Sequence, residues 1–249
     1  MKETFVLKSR VDNIEVDFFK PESWDEKKIM IFCHGFNSGK QSEAYKIIGE
    51  KFLEKGIAYV IFSLPYHAER RGDYNELTLE NCVEDSELVE EYIRSRYPET
   101  QVGILGTSFG GYLTLLRLHR YKHKYFSIIL KSPAIKMDSI LKSFMTDNEF
   151  EYFKNQGYVI NNFKEDGMRI NFSFYEELAN NLLMDYSYEE EILLYHGTID
   201  DTAPYKDSVD FSNKNKNVIL HTFPNENHKF SMEILEQFSE EVSEYSKNK

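Results

Sequence analysis

Ser108 stands between two glycines in the run Val102-Gly103-Ile104-Leu105-Gly106-Thr107-Ser108-Phe109-Gly110-Gly111. The residues before it are apolar β-formers, and Tyr112-Leu113-Thr114-Leu115-Leu116-Arg117-Leu118 after it has the apolar spacing of a helix. A G-x-S-x-G turn at such a seam projects the serine hydroxyl beyond the sheet, and the glycines let neighbouring backbone come close. A serine hydroxyl is a weak nucleophile at neutral pH. To attack a carbonyl it needs a histidine to accept its proton, a carboxylate to orient that histidine, and N–H donors for the oxyanion that forms.

The chain offers each of these. His228 lies in Phe223-Pro224-Asn225-Glu226-Asn227-His228-Lys229-Phe230, after the last strand-like run and before the last helical one. Asp200 and Asp201 follow the preceding strand in His196-Gly197-Thr198-Ile199-Asp200-Asp201. Both loops fall at the carboxyl ends of strands, where open parallel sheets collect functional groups. Glu226 is nearer to His228 in sequence, but a residue two positions away points elsewhere, so it reads as a solvated loop charge. The two cysteines, Cys33 in an apolar run and Cys82 in a helical pattern, read as packing residues, which leaves neither a disulfide framework nor a cysteine metal site.

Strand-like runs at 5–7, 14–19, 28–33, 57–62, 102–105, 127–130, 192–195 and 218–221 alternate, from the third onward, with helical patterns at 42–55, 78–96, 110–121, 205–212 and 232–245. This alternation predicts an α/β fold with a mostly parallel sheet of about eight strands, led by an antiparallel hairpin turned near Asp12-Asn13. One connection is too long. Residues 132–186 separate two buried strands and predict an inserted unit, with residues 1–131 and 187–249 as the core. The insert reads as helices over 139–155 and 175–183 around a hairpin, 157–160 and 168–172, turned at Asp166-Gly167. Its many aromatics, among them Phe144, Phe150, Phe153, Phe163, Phe172 and Phe174, predict a small core of its own, with some rings facing the serine.

The 249 residues carry 42 acidic against 30 basic side chains, a formal charge of -12, which disfavours nucleic acid and anionic membrane surfaces as partners. The N-terminus shows no signal-peptide core and no run approaches a membrane span, so a cytoplasmic location is expected. A homodimer is compatible with the sequence, but no feature calls for one.

Four separated segments, His34-Gly35-Phe36, Gly106-Thr107-Ser108-Phe109-Gly110, His196-Gly197-Thr198-Ile199-Asp200 and Asn227-His228-Lys229-Phe230, together resemble the α/β-hydrolase superfamily, in the order Ser, Asp, His of that fold. The resemblance implies Ser108 as nucleophile, His228 as base and Asp200 as orienting acid, with Asp201 as the fallback. It places the oxyanion donors on the backbone of Phe36 and Phe109, and it assigns His34 and His196 to holding loops. His-Gly-Phe is not the HGGG-type run of some lipases and is closer to small bacterial esterases. Pro65-Tyr66-His67-Ala68-Glu69-Arg70 departs from the commoner Asp-x-x-Gly-x-Gly loop and looks like a subset of carboxylesterases, with His67 and Arg70 expected to anchor the loop. The insert resembles the helix-and-hairpin lid of feruloyl (cinnamoyl) esterases. The resemblance implies a serine carboxylesterase acting on small acyl or aryl esters without cofactor or metal. A peptidase or acylaminoacyl hydrolase, a thioesterase or acyltransferase, and a non-catalytic ligand-binding form of the fold are the alternatives. The lack of a propeller-sized N-terminal segment weighs against gating of the large-peptidase kind.

Overall fold

Several runs of the sequence are apolar at nearly every position, which only a strand covered on both faces can satisfy. In the computed structural model, which describes residues 1–161 and 167–249, these runs form the centre of an eight-stranded sheet. Its strands are β1 (Lys2–Lys8), β2 (Asn13–Phe19), β3 (Lys28–Cys33), β4 (Ala58–Phe62), β5 (Gln101–Thr107), β6 (Ile128–Lys131), β9 (Ile192–Gly197) and β10 (Val218–Phe223). The spatial order is β1-β2-β4-β3-β5-β6-β9-β10. β1 pairs antiparallel with β2, and β2 antiparallel with β4. The remaining neighbours are parallel, so the carboxyl ends of β3, β5, β6, β9 and β10 share one edge.

Alternation along the strands divides the core. On β3, Ile29, Ile31 and Cys33 join the cluster that contains α2 (Leu79–Arg96), α3 (Phe109–Arg120) and Phe211 of α7 (Tyr205–Lys214). Met30 and Phe32 between them face the opposite cluster, with Tyr45, Ile48 and Phe52 of α1 (Glu43–Glu54) and Leu235, Phe238 and Val242 of α8 (Met232–Asn248). The sheet is thus sandwiched between two helix layers.

The connection from β6 to β9 carries α4 (Met137–Ser143), α5 (Asp147–Gln156), the antiparallel pair β7 (Tyr158–Asn161) and β8 (Met168–Asn171), and α6 (Phe172–Ala179). The single helix expected over 139–155 is two. Thr146 ends the first excursion and opens α5 through a capping box, its hydroxyl accepting from Glu149 N–H while Glu149 accepts from Thr146 N–H at 2.8 Å. Gly157, expected in a strand, instead ends α5 with a left-handed φ of 77°. α6 starts at Phe172, three residues earlier than its apolar spacing suggested. Asp166 of the expected turn, and Phe163, lie outside the described residues.

The aromatics of this segment fall into separate environments. Phe150, Phe153, Phe172 and Tyr175 pack mostly edge to face with centroids 5.0–6.3 Å apart. Phe144 and Tyr152 are exposed, whereas Phe174 is fully buried against the core. Three further contacts moor the segment. Arg169 is held between the rings of Tyr74 and Tyr158 at 3.7 and 3.9 Å, Tyr112 Oη donates to the Asn181 carbonyl at 2.9 Å, and Glu177 accepts from Leu79 N–H at 2.5 Å.

Candidate active site

β5 runs straight into α3, and the one residue between them is Ser108, with φ 54° and ψ -115°. A side chain larger than glycine's rarely accepts these angles, so the turn is strained and must be held by its surroundings. Its N–H donates to the Lys131 carbonyl on β6 at 3.0 Å, and its own carbonyl accepts from Tyr112 and Ala134 N–H at 3.1 and 3.0 Å. The two flanking glycines are required by space. A β-carbon on Gly106 would sit 2.5 Å from the Gly110 carbonyl oxygen and 2.6 Å from Thr114 Oγ1, and one on Gly110 would collide with the carbonyl group of Cys33.

Asp200 is placed by the turn after β9. Its Oδ1 accepts from the N–H groups of Thr202 and Ala203 at 2.9 and 2.8 Å, and its Oδ2 accepts from His228 Nδ1 at 2.7 Å and from His196 Nε2 at 2.9 Å. Burial pushes this carboxyl up, but the hydrogen bonds from His196 and His228 and the attraction of His228 outweigh it and hold it well below the usual carboxylate range. Both partners of His196 Nε2, Asp200 Oδ2 and the Ala203 carbonyl, are acceptors, so this nitrogen carries a proton; Ser208 Oγ lies 2.7 Å from Nδ1. Asp201 is exposed and, among the described residues, accepts only from Thr202 Oγ1, at 3.2 Å. The geometry therefore joins Asp200, and not Asp201, to His228.

The loop holding His228 is stitched to the β9 loop by Ile199 N–H on the Glu226 carbonyl at 3.0 Å and Asn225 N–H on Thr198 Oγ1 at 2.9 Å. Glu226 is more than a solvated charge: its carboxylate accepts from Ser231 N–H at 2.6 Å and Ser231 Oγ at 2.8 Å, at the start of α8. With Nδ1 committed to Asp200, Nε2 is the second ring nitrogen of His228. Among the described residues no hydrogen bond joins Ser108 Oγ to His228, and catalytic contacts of this kind commonly tighten only with substrate bound. The link between their backbones runs through β6. Lys131 Nζ and Ser132 Oγ both donate to the His228 carbonyl, at 2.9 and 3.2 Å. Sequence reasoning missed Lys131, ending this strand at Leu130.

Phe109 is the first residue of α3, so its N–H has no acceptor within the helix. The β3 loop brings Phe36 beside it, the two rings meeting edge to face at 5.6 Å. Phe174 closes the group, stacked on Phe36 and edge-on to Phe109, each at 5.9 Å. His34 fixes the loop: its Nε2 accepts from Leu64 N–H at 2.9 Å, so Nδ1 donates to the Gly35 carbonyl at 2.8 Å. His67 is buried beneath, its ring 5.3 Å from Phe36 and its Nδ1 2.8 Å from the Pro65 carbonyl. Arg70 is an anchor, donating to Asp12, to Asp85 at 2.7 Å and to the Ser63 carbonyl at 2.8 Å.

Glu87, Glu90 and His123 have donor atoms close enough for a metal ion. However, Arg117, almost fully buried, already bonds Glu87 and Glu90 at 2.5 Å each, and Arg94 bonds Glu90 at 2.7 Å, so the two carboxylates are already committed to guanidinium groups. Cys33, beside His34, is no competing nucleophile: burial pushes its thiol up to about 12.

A mostly parallel sheet with this strand order and a serine elbow after β5 defines an α/β hydrolase. Residues 52–245, more than half of the chain, match the model of the prolyl oligopeptidase family, and the chain belongs to that family, whose members are serine hydrolases. Among solved structures it is similar to Est1E from Butyrivibrio proteoclasticus with ferulic acid bound, with a TM-score of 0.84 and 22% identity over 97% of each chain. It is also similar to α/β hydrolase domain-containing protein 10 from mouse, with a TM-score of 0.79 and 17% identity over 98% of each chain. The esterase domain of a Rhodothermus marinus protein matches with a TM-score of 0.72 and 14% identity, covering 100% of this chain and 98% of that one. No curated protein sequence matches it significantly.

Proposed function

We propose that this protein is a carboxylic ester hydrolase that works through an acyl-enzyme on Ser108. The observation that carries the reading is the Asp200–His228 bond of 2.7 Å, which orients one imidazole on a loop at the same sheet edge as a strained serine elbow. In this account His228 Nε2 takes the Ser108 proton as Oγ attacks the ester carbonyl. The backbone N–H groups of Phe36 and Phe109 stabilise the oxyanion, each such donor contributing about 2.7–4 kcal/mol. His228 then protonates the departing alcohol, and water repeats the sequence to release the acid. No step calls for a metal or cofactor.

The segment over residues 132–186 acts as a lid in this reading, over a site that takes small acyl or aryl groups, hydroxycinnamoyl included. The ferulic acid in the Est1E structure supports that choice of substrate class. Membership of the prolyl oligopeptidase family favours a second reading, cleavage of peptide or acylamino amides by the same residues. Nitrophenyl esters of increasing chain length, methyl ferulate and a peptide anilide, assayed side by side, separate the two. Ester turnover exceeding amide turnover is expected; amide cleavage outrunning every ester would overturn the ester assignment.

A further inference from the structure

Lys131 is the last residue of β6, paired with Thr107 of β5 on one side and Tyr195 of β9 on the other. Its carbonyl accepts the N–H of Ser108 at 3.0 Å. Its side chain, 3% exposed, runs beneath the neighbouring loop, where Nζ donates to the carbonyl of His228 at 2.9 Å and lies 3.8 Å from the centre of the Phe230 ring. One residue therefore touches the backbone of the serine with one end and the backbone of the histidine with the other. The segments it joins are strained: besides Ser108, both Ser132 and Phe230 have left-handed φ, 45° and 64°. Non-glycine residues persist in that region only where their surroundings hold them.

We infer that Lys131 is a positioning residue, which sets the height and register of His228 over Ser108 by clamping the His228 carbonyl from below. The inference rests on the triad reading above, since it assigns Lys131 a role only through His228.

Stability alone does not explain a lysine here. Burial disfavours its charged form and lowers the group to about 7, against the opposing pull of Asp200 and then Glu226, the two charged groups that face it from the β9 and β10 loops. For a base whose folded value is depressed, the charged form is carried at a cost below pH 7, and that cost is relieved as pH rises from 7 towards 10.5. An apolar chain of similar length would fill the same space without it.

Lys131→Met keeps the volume and removes the donor and the ionisation. The expected result is a kcat lowered by about 10- to 100-fold, the scale of a displacement of about 1 Å at a catalytic group, with KM within twofold and a melting temperature at pH 6 equal to or above that of the unsubstituted protein. A kcat within twofold of the original overturns the inference, as does a loss of activity that tracks a loss of melting temperature. If Lys131→Met does not fold, Ser132→Ala, which deletes the other donor to the same carbonyl, takes its place: kcat should fall severalfold, and an unchanged kcat overturns the clamp. Failure of the underlying triad reading looks different, because the unsubstituted protein would then neither turn over esters nor react with a serine-directed probe.

Discussion

His196 donates to Asp200 Oδ2, the same oxygen that accepts from His228 Nδ1, so two imidazoles share one carboxylate atom at 2.9 and 2.7 Å. Two backbone N–H groups occupy the other oxygen. The carboxylate is thus fully bonded in its ionised form and cannot rotate away from His228. This explains why a buried acid stays charged, and it gives His196 a defined part: it holds Asp200, which in turn orients His228.

Asp200→Asn should lower kcat by roughly 10⁴-fold, because an amide presents a donor where His228 Nδ1 needs an acceptor. The sign of the accompanying stability change follows from the depressed folded value. Ionised Asp200 stabilises the fold above 3.8, where the unfolded carboxyl is also ionised, and that contribution is lost as pH falls through the lower folded value. Melting curves should show the variant below the original by a constant margin from pH 8 to 5 and the gap narrowing under pH 4. A gap that widens on acidification would contradict the hydrogen-bond scheme.

Gly110→Ala tests the elbow's close approach. The new β-carbon would land on the Cys33 carbonyl group, which is sheet backbone and cannot swing aside. Soluble expression and melting temperature should both fall sharply. Gly157→Ala is the contrast: nothing lies within 4 Å of its would-be β-carbon, and only the left-handed φ of 77° resists, at about 1 kcal/mol. Equal effects of the two substitutions would argue against the packing described at the elbow.

Phe174→Ala should separate binding from chemistry. The ring is fully buried against Phe36 and Phe109, so its loss costs about 3–5 kcal/mol of stability as a core truncation. Because the proposed mechanism draws its oxyanion donors from the backbone of those two residues, it predicts that kcat for a small acetate ester falls more than KM rises, and that Phe174→Leu recovers most of it. A variant with a normal kcat and only a raised KM would make the ring a substrate contact and no more.

The sheet was legible because its strands are covered on both faces, so apolar runs such as Lys28–Cys33 and Ile192–Gly197 leave little ambiguity. The positions of Ser108, Asp200 and His228 at one sheet edge were legible because each follows a strand. Asp200 was separated from Asp201 by resemblance, and the structure gives the reason in the contacts each makes. Lys131 was not legible, since a lysine after an apolar run reads as the point where a strand meets water, and only the overlying His228 loop reverses that meaning. The break between α4 and α5 had a signal that went unread, Thr146-Asp147-Asn148-Glu149, which is an S/T-x-x-E capping box. Glu226 stays clear of His228 as expected, but its capping of the start of α8 went unread because its partner, Ser231, is five residues on.

The most direct test of the central claim is stoichiometric labelling by a fluorophosphonate, followed by peptide mapping. One probe per chain should be found, on Ser108, with labelling abolished in Ser108→Ala and slowed by orders of magnitude in His228→Ala. No labelling of the unsubstituted protein, or equal labelling of Ser108→Ala, would contradict the assignment of Ser108 as the nucleophile.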